Sequence, residues 1–204
     1  MSGKLFIYDT GDDDNREQAE NRFDDGEVTL LPCSTKEELI VGLDRLLAKG
    51  CMFNRVLVQT HGKPGRLFFY ANDKRKSDED RKHVICDTFF SSEIRKKGYD
   101  ALFPIFTTIY FDGCNVGADT DGTEFLQAVG GTLLRRAGGQ TWAWTNSGWA
   151  IPNAVPWIGA HTFHWPGVID SNMKVLYFAP GGNQIIPKDS DSFGSHPLGP
   201  RFRH

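Results

Sequence analysis

Apolar positions along this chain gather in short unbroken runs, separated by stretches that are polar, charged or rich in glycine. The runs at 4–8, 28–31, 55–60 and 105–111 are too short for helices. Those at 4–8, 55–60 and above all 105–111 are nearly continuous rather than alternating, the pattern of strands buried on both faces of a parallel sheet. Further strands are expected at 140–145 and 174–179, and residues 66–70 return as a hairpin across Lys63-Pro64-Gly65. Leu39, Ile40, Leu43, Leu46 and Leu47 repeat at helical spacing behind Ser34 and Glu37, a capping-box pair, and the stripe stops at Lys49-Gly50. A second helix is expected behind Asp121-Gly122-Thr123-Glu124, carrying Phe125, Leu126, Val129, Leu133 and Leu134 toward Gly138-Gly139. Its Gly130-Gly131 pair weakens the helix and marks close backbone packing on the sheet. Strands alternating with helices predict an α/β fold, a three-layer sandwich with a mostly parallel central sheet.

With 204 residues, 39% of them hydrophobic, the chain is long enough for one well-packed core. A single domain over residues 1–186 is expected, followed by an irregular arm at 187–204 whose composition favours turns. Residues 9–14 and 72–83 read as solvated polar loops. A formal charge of -3, with acidic and basic residues mixed, sets up no field suited to a nucleic-acid backbone, so nucleic acid is excluded as a partner. No apolar run has the length of a bilayer span or a signal-peptide core, which predicts a cytoplasmic protein with no membrane partner. Cys33, Cys51, Cys86 and Cys114 are too few for a disulfide framework in a chain with a sufficient core, and free thiols are expected.

Two strand ends carry the candidate chemistry. The run 105–111 leads into Asp112-Gly113-Cys114-Asn115-Val116-Gly117, and the run 55–60 leads into His61-Gly62. In open α/β sheets sites form at the carboxyl ends of strands, so both segments fall where a site would form. A cysteine with its ordinary pKa of about 8.5 is only a few per cent thiolate near neutral pH and needs a neighbouring base, which His61 could supply. Attack on a peptide carbonyl builds an oxyanion, and the backbone N–H groups of Gly62 and Cys114 are candidate donors to it. One such donor is typically worth roughly 3 kcal/mol.

An apolar strand ending in His-Gly, followed by one ending in Asp-x-Cys with a glycine shortly after, resembles the caspase-like cysteine peptidases. That group includes caspases, metacaspases, legumains, gingipains and separases. The closer likeness is to bacterial caspase-like domains, through Thr60-His61-Gly62-Lys63-Pro64-Gly65 and Gly113-Cys114-Asn115-Val116-Gly117 with Gly122 and Phe125. The resemblance spans residues 55 to about 145. It implies a caspase-like fold, Cys114 as nucleophile, His61 as general base and acid, and Gly62 in the oxyanion hole. It further implies a protein or peptide substrate and no cofactor. Asp112 stands where metacaspases have an acidic residue that holds a basic side chain, implying cleavage after Arg or Lys; Asp112 as a buried polar anchor at the strand end is the other reading. The longer cysteine motif of the caspases and a linker for two-chain processing are absent.

Other patterns admit other functions. A caspase-like module that binds protein partners without catalysis is the main alternative, because fold does not imply activity. Asp9-Thr10-Gly11 matches the tripeptide of aspartic peptidases, but the helices contradict their mostly antiparallel fold. Asp119-Thr120-Asp121-Gly122 hints at calcium yet lacks the remaining ligand spacing. His83-x-x-Cys86 and His161-x-x-His164 would suit zinc only if the fold brought them together, and no metal site is assigned. Trp142, Trp144, Trp149, Trp157 and Trp165 divide between core packing and a substrate groove.

Overall fold

Five of the apolar runs become neighbouring strands of one sheet in the computed structural model of the chain, which describes residues 3–11, 28–71, 77, 82–145 and 173–185. Strands β1 (Gly3–Asp9), β2 (Val28–Cys33), β3 (Phe53–Gln59), β7 (Thr107–Asp112) and β8 (Gly139–Trp144) lie parallel to one another. β9 (Met173–Phe178) and β10 (Gln184–Ile185) add an antiparallel edge, giving the order β10-β9-β8-β7-β3-β1-β2. The fold is thus α/β, with a mixed, mostly parallel central sheet. β4 (His61–Lys63), β5 (Arg66–Tyr70) and β6 (Lys82–Ile85) form a separate antiparallel sheet.

Alternation within the buried strands explains their continuous apolar sequence. Leu5, Ile7, Val56, Val58, Ile109, Phe111 and Ala143 face one core. Phe6, Tyr8, Leu57, Tyr110, Trp142 and Trp144 face the other. Both faces of these strands are largely dry, and buried polar residues among them such as Thr107, Gln140 and Thr141 make hydrogen bonds. Trp142 and Trp144 are accordingly core residues, whereas Trp149, Trp157 and Trp165 lie outside the described residues. Helices α1 (Lys36–Ala48) and α2 (Asp119–Leu133) both pack on the first face. Among the described residues no helix packs on the second face, so they show two of the three expected layers; the arm at 187–204 falls outside the described residues. No helix among the described residues is long and apolar enough to cross a membrane.

Local details depart from the sequence expectation by small steps. The N-cap of α1 is Thr35, one residue after the expected Ser34: its hydroxyl accepts from the Glu38 N–H at 3.1 Å. The cap thus keeps the three-residue spacing one position along, while the Glu38 carboxylate accepts from the backbone N–H and hydroxyl of Ser34, four residues back, at 2.7 and 2.8 Å rather than from the cap residue itself. α2 begins at Asp119 rather than behind Asp121, with Ala118 at the cap; Asp119 and Asp121 instead favour the first turn through the helix dipole. β2 runs past Leu31 to Cys33 because Pro32 lies on an edge strand, where a missing N–H costs no ladder bond. Residues 82–83, expected in a loop, open β6 beside β5.

Between β6 and β7 the chain forms an irregular helical segment, a π turn at Phe89–Glu93 followed by 3-10 turns at Ile94–Lys97 and Tyr99–Leu102. Its charged surface hides widely spaced core residues: Phe89, Phe90, Ile94, Tyr99 and Leu102 are buried. The Tyr99 hydroxyl donates to Asp44 Oδ1 at 2.7 Å and tethers the segment to α1. Burial, then the Asp44 carboxylate, push that phenol well above its ordinary pKa, which keeps it a donor at any physiological pH. A cavity of about 40 Å³ lies where this segment and α1 meet the sheet, lined by Leu39, Leu43, Val58, Phe90 and Ile94 among others. It is apolar core space, and neither His61 nor Cys114 lines it.

The Gly130-Gly131 pair divides into two roles. A Cβ on Gly130 would overlap the ring of Phe178 on β9, whereas one on Gly131 would meet only the Gly182 carbonyl at 3.6 Å. Gly130→Ala is expected to lower stability by about 1–3 kcal/mol, because Phe178 is itself buried and has no room to retreat. Gly131→Ala should raise stability by about 0.5–1 kcal/mol through helix propensity. Denaturant unfolding of the two variants checks the contrast, and equal effects would show that α2 does not seat on β9 through Gly130.

Candidate functional site

The site grows from the register of two adjacent strands. β3 and β7 pair with Val58 opposite Phe111 and Gln59 opposite Asp112. Continuing one residue past that register leads to Thr60 and Gly113, and a second residue leads to His61 and Cys114. The two predicted residues therefore leave the same edge of the sheet from neighbouring strands. His61 is exposed and opens β4; Cys114 is half-buried in a turn over residues 114–117.

Backbone contacts lock the two loops together. The Gly65 N–H donates to the Val116 carbonyl at 3.0 Å, and the Gly117 N–H donates to the Trp144 carbonyl at 2.7 Å. The Thr60 hydroxyl donates to the Phe68 carbonyl and closes the base of the β4–β5 hairpin. A Cβ on Gly62 would overlap Val116 Cγ2 and come within 2.9 Å of the Cys114 carbonyl oxygen. One on Gly113 would lie 2.9 Å from Val116 Cγ2 and 3.1 Å from the Thr60 carbonyl oxygen. The glycines next to His61 and Cys114 thus allow two backbones to meet around a fully buried Val116. Asn115 takes a left-handed φ of 59°, which Asn tolerates better than most residues, and turns the chain immediately after Cys114.

Asp112 occupies the end of β7 on the face opposite Phe111. Its Oδ1 accepts from Trp144 Nε1 at 3.1 Å, so the indole at the end of β8 orients a half-buried carboxylate beside the Cys114 turn. The buried Tyr110 hydroxyl lies on the same side. Desolvation first, and the Asp112 charge second, raise its pKa well above the ordinary value, so it remains a neutral phenol.

Asp9, expected in a solvated loop, is fully buried at the end of β1. Its Oδ1 accepts the Gly11 N–H at 2.9 Å, and its two oxygens face the Tyr70 N–H at 3.3 and 3.2 Å. The Tyr70 ring stands edge-on to the imidazole of His61, with centroids 5.6 Å apart and an interplanar angle of 88°. Sequence reasoning missed Asp9 and Tyr70 as parts of this region, because their meeting depends on a contact between segments 61 residues apart. It quoted Val116 within the cysteine motif without its packing role, and left Trp144 between core and groove.

The remaining cysteines sit elsewhere in chemistry and space. None of the four, all within the described residues, forms a disulfide. Cys33 is fully buried, and desolvation, followed by the Glu38 and Asp9 charges, pushes its thiol far above the ordinary value. Cys86 lies 3.1 Å from the Thr88 hydroxyl, and His83 Nδ1 lies 3.6 Å from a Glu37 carboxylate oxygen. Among the described residues no three His, Cys, Asp or Glu side chains are grouped to hold a metal; His161 and His164 lie outside them. No protein-family model matches the chain, and no curated protein sequence matches it.

Proposed function

We propose that this chain is a caspase-like cysteine endopeptidase acting through Cys114 and His61. The observation that carries the reading is the register of β3 and β7, which sends the His61-Gly62 and Cys114 segments from adjacent strand ends into interlocked loops. In the proposed reaction His61 takes the Cys114 proton, and the thiolate forms a bond to the scissile carbonyl carbon. The carbonyl electrons move to oxygen, where the N–H groups of Gly62 and Cys114 would receive them. Collapse of this intermediate breaks the C–N bond as the imidazolium gives its proton to the leaving amine. Water, deprotonated by His61, then releases the acyl group as an acid and restores the thiol.

Asp112 gives the reading its specificity. A carboxylate held by the Trp144 indole presents a fixed, partly desolvated acceptor to a guanidinium or ammonium group of the residue before the scissile bond. Asp112→Ala is expected to lower kcat/KM for Arg- and Lys-terminated fluorogenic peptides by roughly a hundredfold, the scale of losing one partner of a buried charge pair. Trp144→Phe, which removes only the indole donor, should weaken the same preference less. An unchanged preference in Asp112→Ala would remove Asp112 from the pocket and return it to the role of a strand-end anchor.

The whole reading is tested by incubating the protein with those peptides and with a thiol-reactive probe. Cys114 should label faster than in an unfolded control, while Cys33 stays unlabelled in the native protein. Absence of both cleavage and enhanced labelling over a panel of peptides would favour a non-catalytic module that binds protein partners.

A further inference from the structure

We propose that Asp9 is a positioning residue for His61, acting through Tyr70; the claim rests on the reading of His61 as the general base. β1 and the β4–β5 hairpin belong to different sheets, and the carboxylate of Asp9 bridges them. A fully buried carboxylate is retained in a fold only where hydrogen bonds replace its lost hydration. Here two of those bonds come from the main-chain N–H groups of Gly11 and Tyr70, so the charge fixes backbone rather than a mobile side chain. The same junction is reinforced sterically, since a Cβ on Gly11 would collide with the Tyr70 carbonyl.

Holding the Tyr70 backbone also holds its ring, and that ring is the edge-on neighbour of the His61 imidazole. His61 lies opposite Phe68 in the hairpin, two residues before Tyr70 on the same strand face, so a shift of Tyr70 moves the surface against which the imidazole rests. His61 is exposed at the start of a three-residue strand, and the Tyr70 ring is one surface that bears on its imidazole. The Asp-Thr-Gly tripeptide at residues 9–11 thereby acquires a function in this fold: it clamps the end of the histidine hairpin to the central sheet.

The test reads the histidine directly. In protein with isotope-labelled histidine, the His61 imidazole signals are identified by their loss in His61→Gln. Asp9→Ala should displace those signals in a protein that still folds, and Asp9→Asn should displace them less, because Oδ1 can still accept both N–H groups although the amide nitrogen in place of Oδ2 faces the Tyr70 N–H. Should Asp9→Ala fail to fold, Gly11→Ala carries the test, since its methyl would press on the Tyr70 carbonyl while sparing both the carboxylate and the ring; it too should displace the His61 signals. Unmoved signals in folded Asp9→Ala, or in folded Gly11→Ala, overturn the proposal. On turnover, Asp9→Ala is expected to lower kcat about tenfold to a hundredfold with KM unchanged, and Asp9→Asn to retain more of it than Asp9→Ala. A fall in KM-linked binding with kcat intact would also overturn it. If the native protein cleaves nothing, the peptidase reading fails while the imidazole signals still decide whether Asp9 positions His61.

Discussion

Cys114→Ala is expected to abolish peptide hydrolysis, lowering kcat by at least about ten-thousandfold while the protein remains folded. The size follows from the chemistry: without a sulfur no acyl-enzyme forms, and what remains is binding and oxyanion stabilisation of a direct attack by water. Folding should survive because Cys114 is half-buried in a turn that Gly113, Asn115, Val116 and Gly117 also hold through backbone hydrogen bonds, which alanine leaves in place. The measurement is single-turnover cleavage of an Arg-terminated peptide beside thermal unfolding of the same sample. A variant that keeps its cleavage rate would move the nucleophile away from Cys114, and one that loses rate and stability together would leave a structural role as the explanation.

Gly62→Ala should produce the second large effect, and by geometry rather than by removing a reacting atom. The added methyl would overlap Val116 Cγ2 and crowd the carbonyls of Cys114, at 2.9 Å, and Arg66, at 3.3 Å. Val116 cannot retreat, because it is fully buried and its carbonyl is held by the Gly65 N–H. The relief open to the fold is to part the histidine loop from the cysteine loop. A displacement of about 1 Å at a reacting centre can cost on the order of a hundredfold in rate, and that loss is expected in kcat/KM. Overpacking should also lower stability by about 1–3 kcal/mol, read as a fall in Tm of roughly 2–10 °C for a chain of this size. Gly62→Ala with native cleavage and native Tm would mean that the two loops do not meet as described.

Much of the scaffold was legible because its signals are local. A continuous apolar run such as 105–111 announces a strand dry on both faces, and β7 is that strand within two residues at its start. Helix α1 was readable from the spacing of Leu39, Leu43 and Leu46 and from a capping pattern that proved correct in kind and displaced by one residue. The helical segment at 89–102 was not readable. Its buried residues are separated by irregular intervals that fit neither a 3.6-residue nor a two-residue period, since π and 3-10 turns change the spacing within one segment. Asp9 misled for a related reason: a carboxylate followed by further acidic residues reads as solvated, and part of what makes its burial tolerable is a backbone N–H 61 residues away.

By itself the sequence picked out His61 and Cys114 as candidates, since each follows an apolar strand and carries an adjacent glycine. It also determined the class of fold, because hydrophobic periodicity is a property of neighbouring residues along one chain. Tertiary structure decided that β3 lies beside β7 in a register that brings the two strand ends together, and that β1 supplies a buried carboxylate to the histidine hairpin. Strand order and register arise from the simultaneous packing of both sheet faces and from backbone hydrogen bonds between distant segments. No local window of sequence contains those pairings, which is why the two candidate residues could be named from the chain while their setting had to come from the fold.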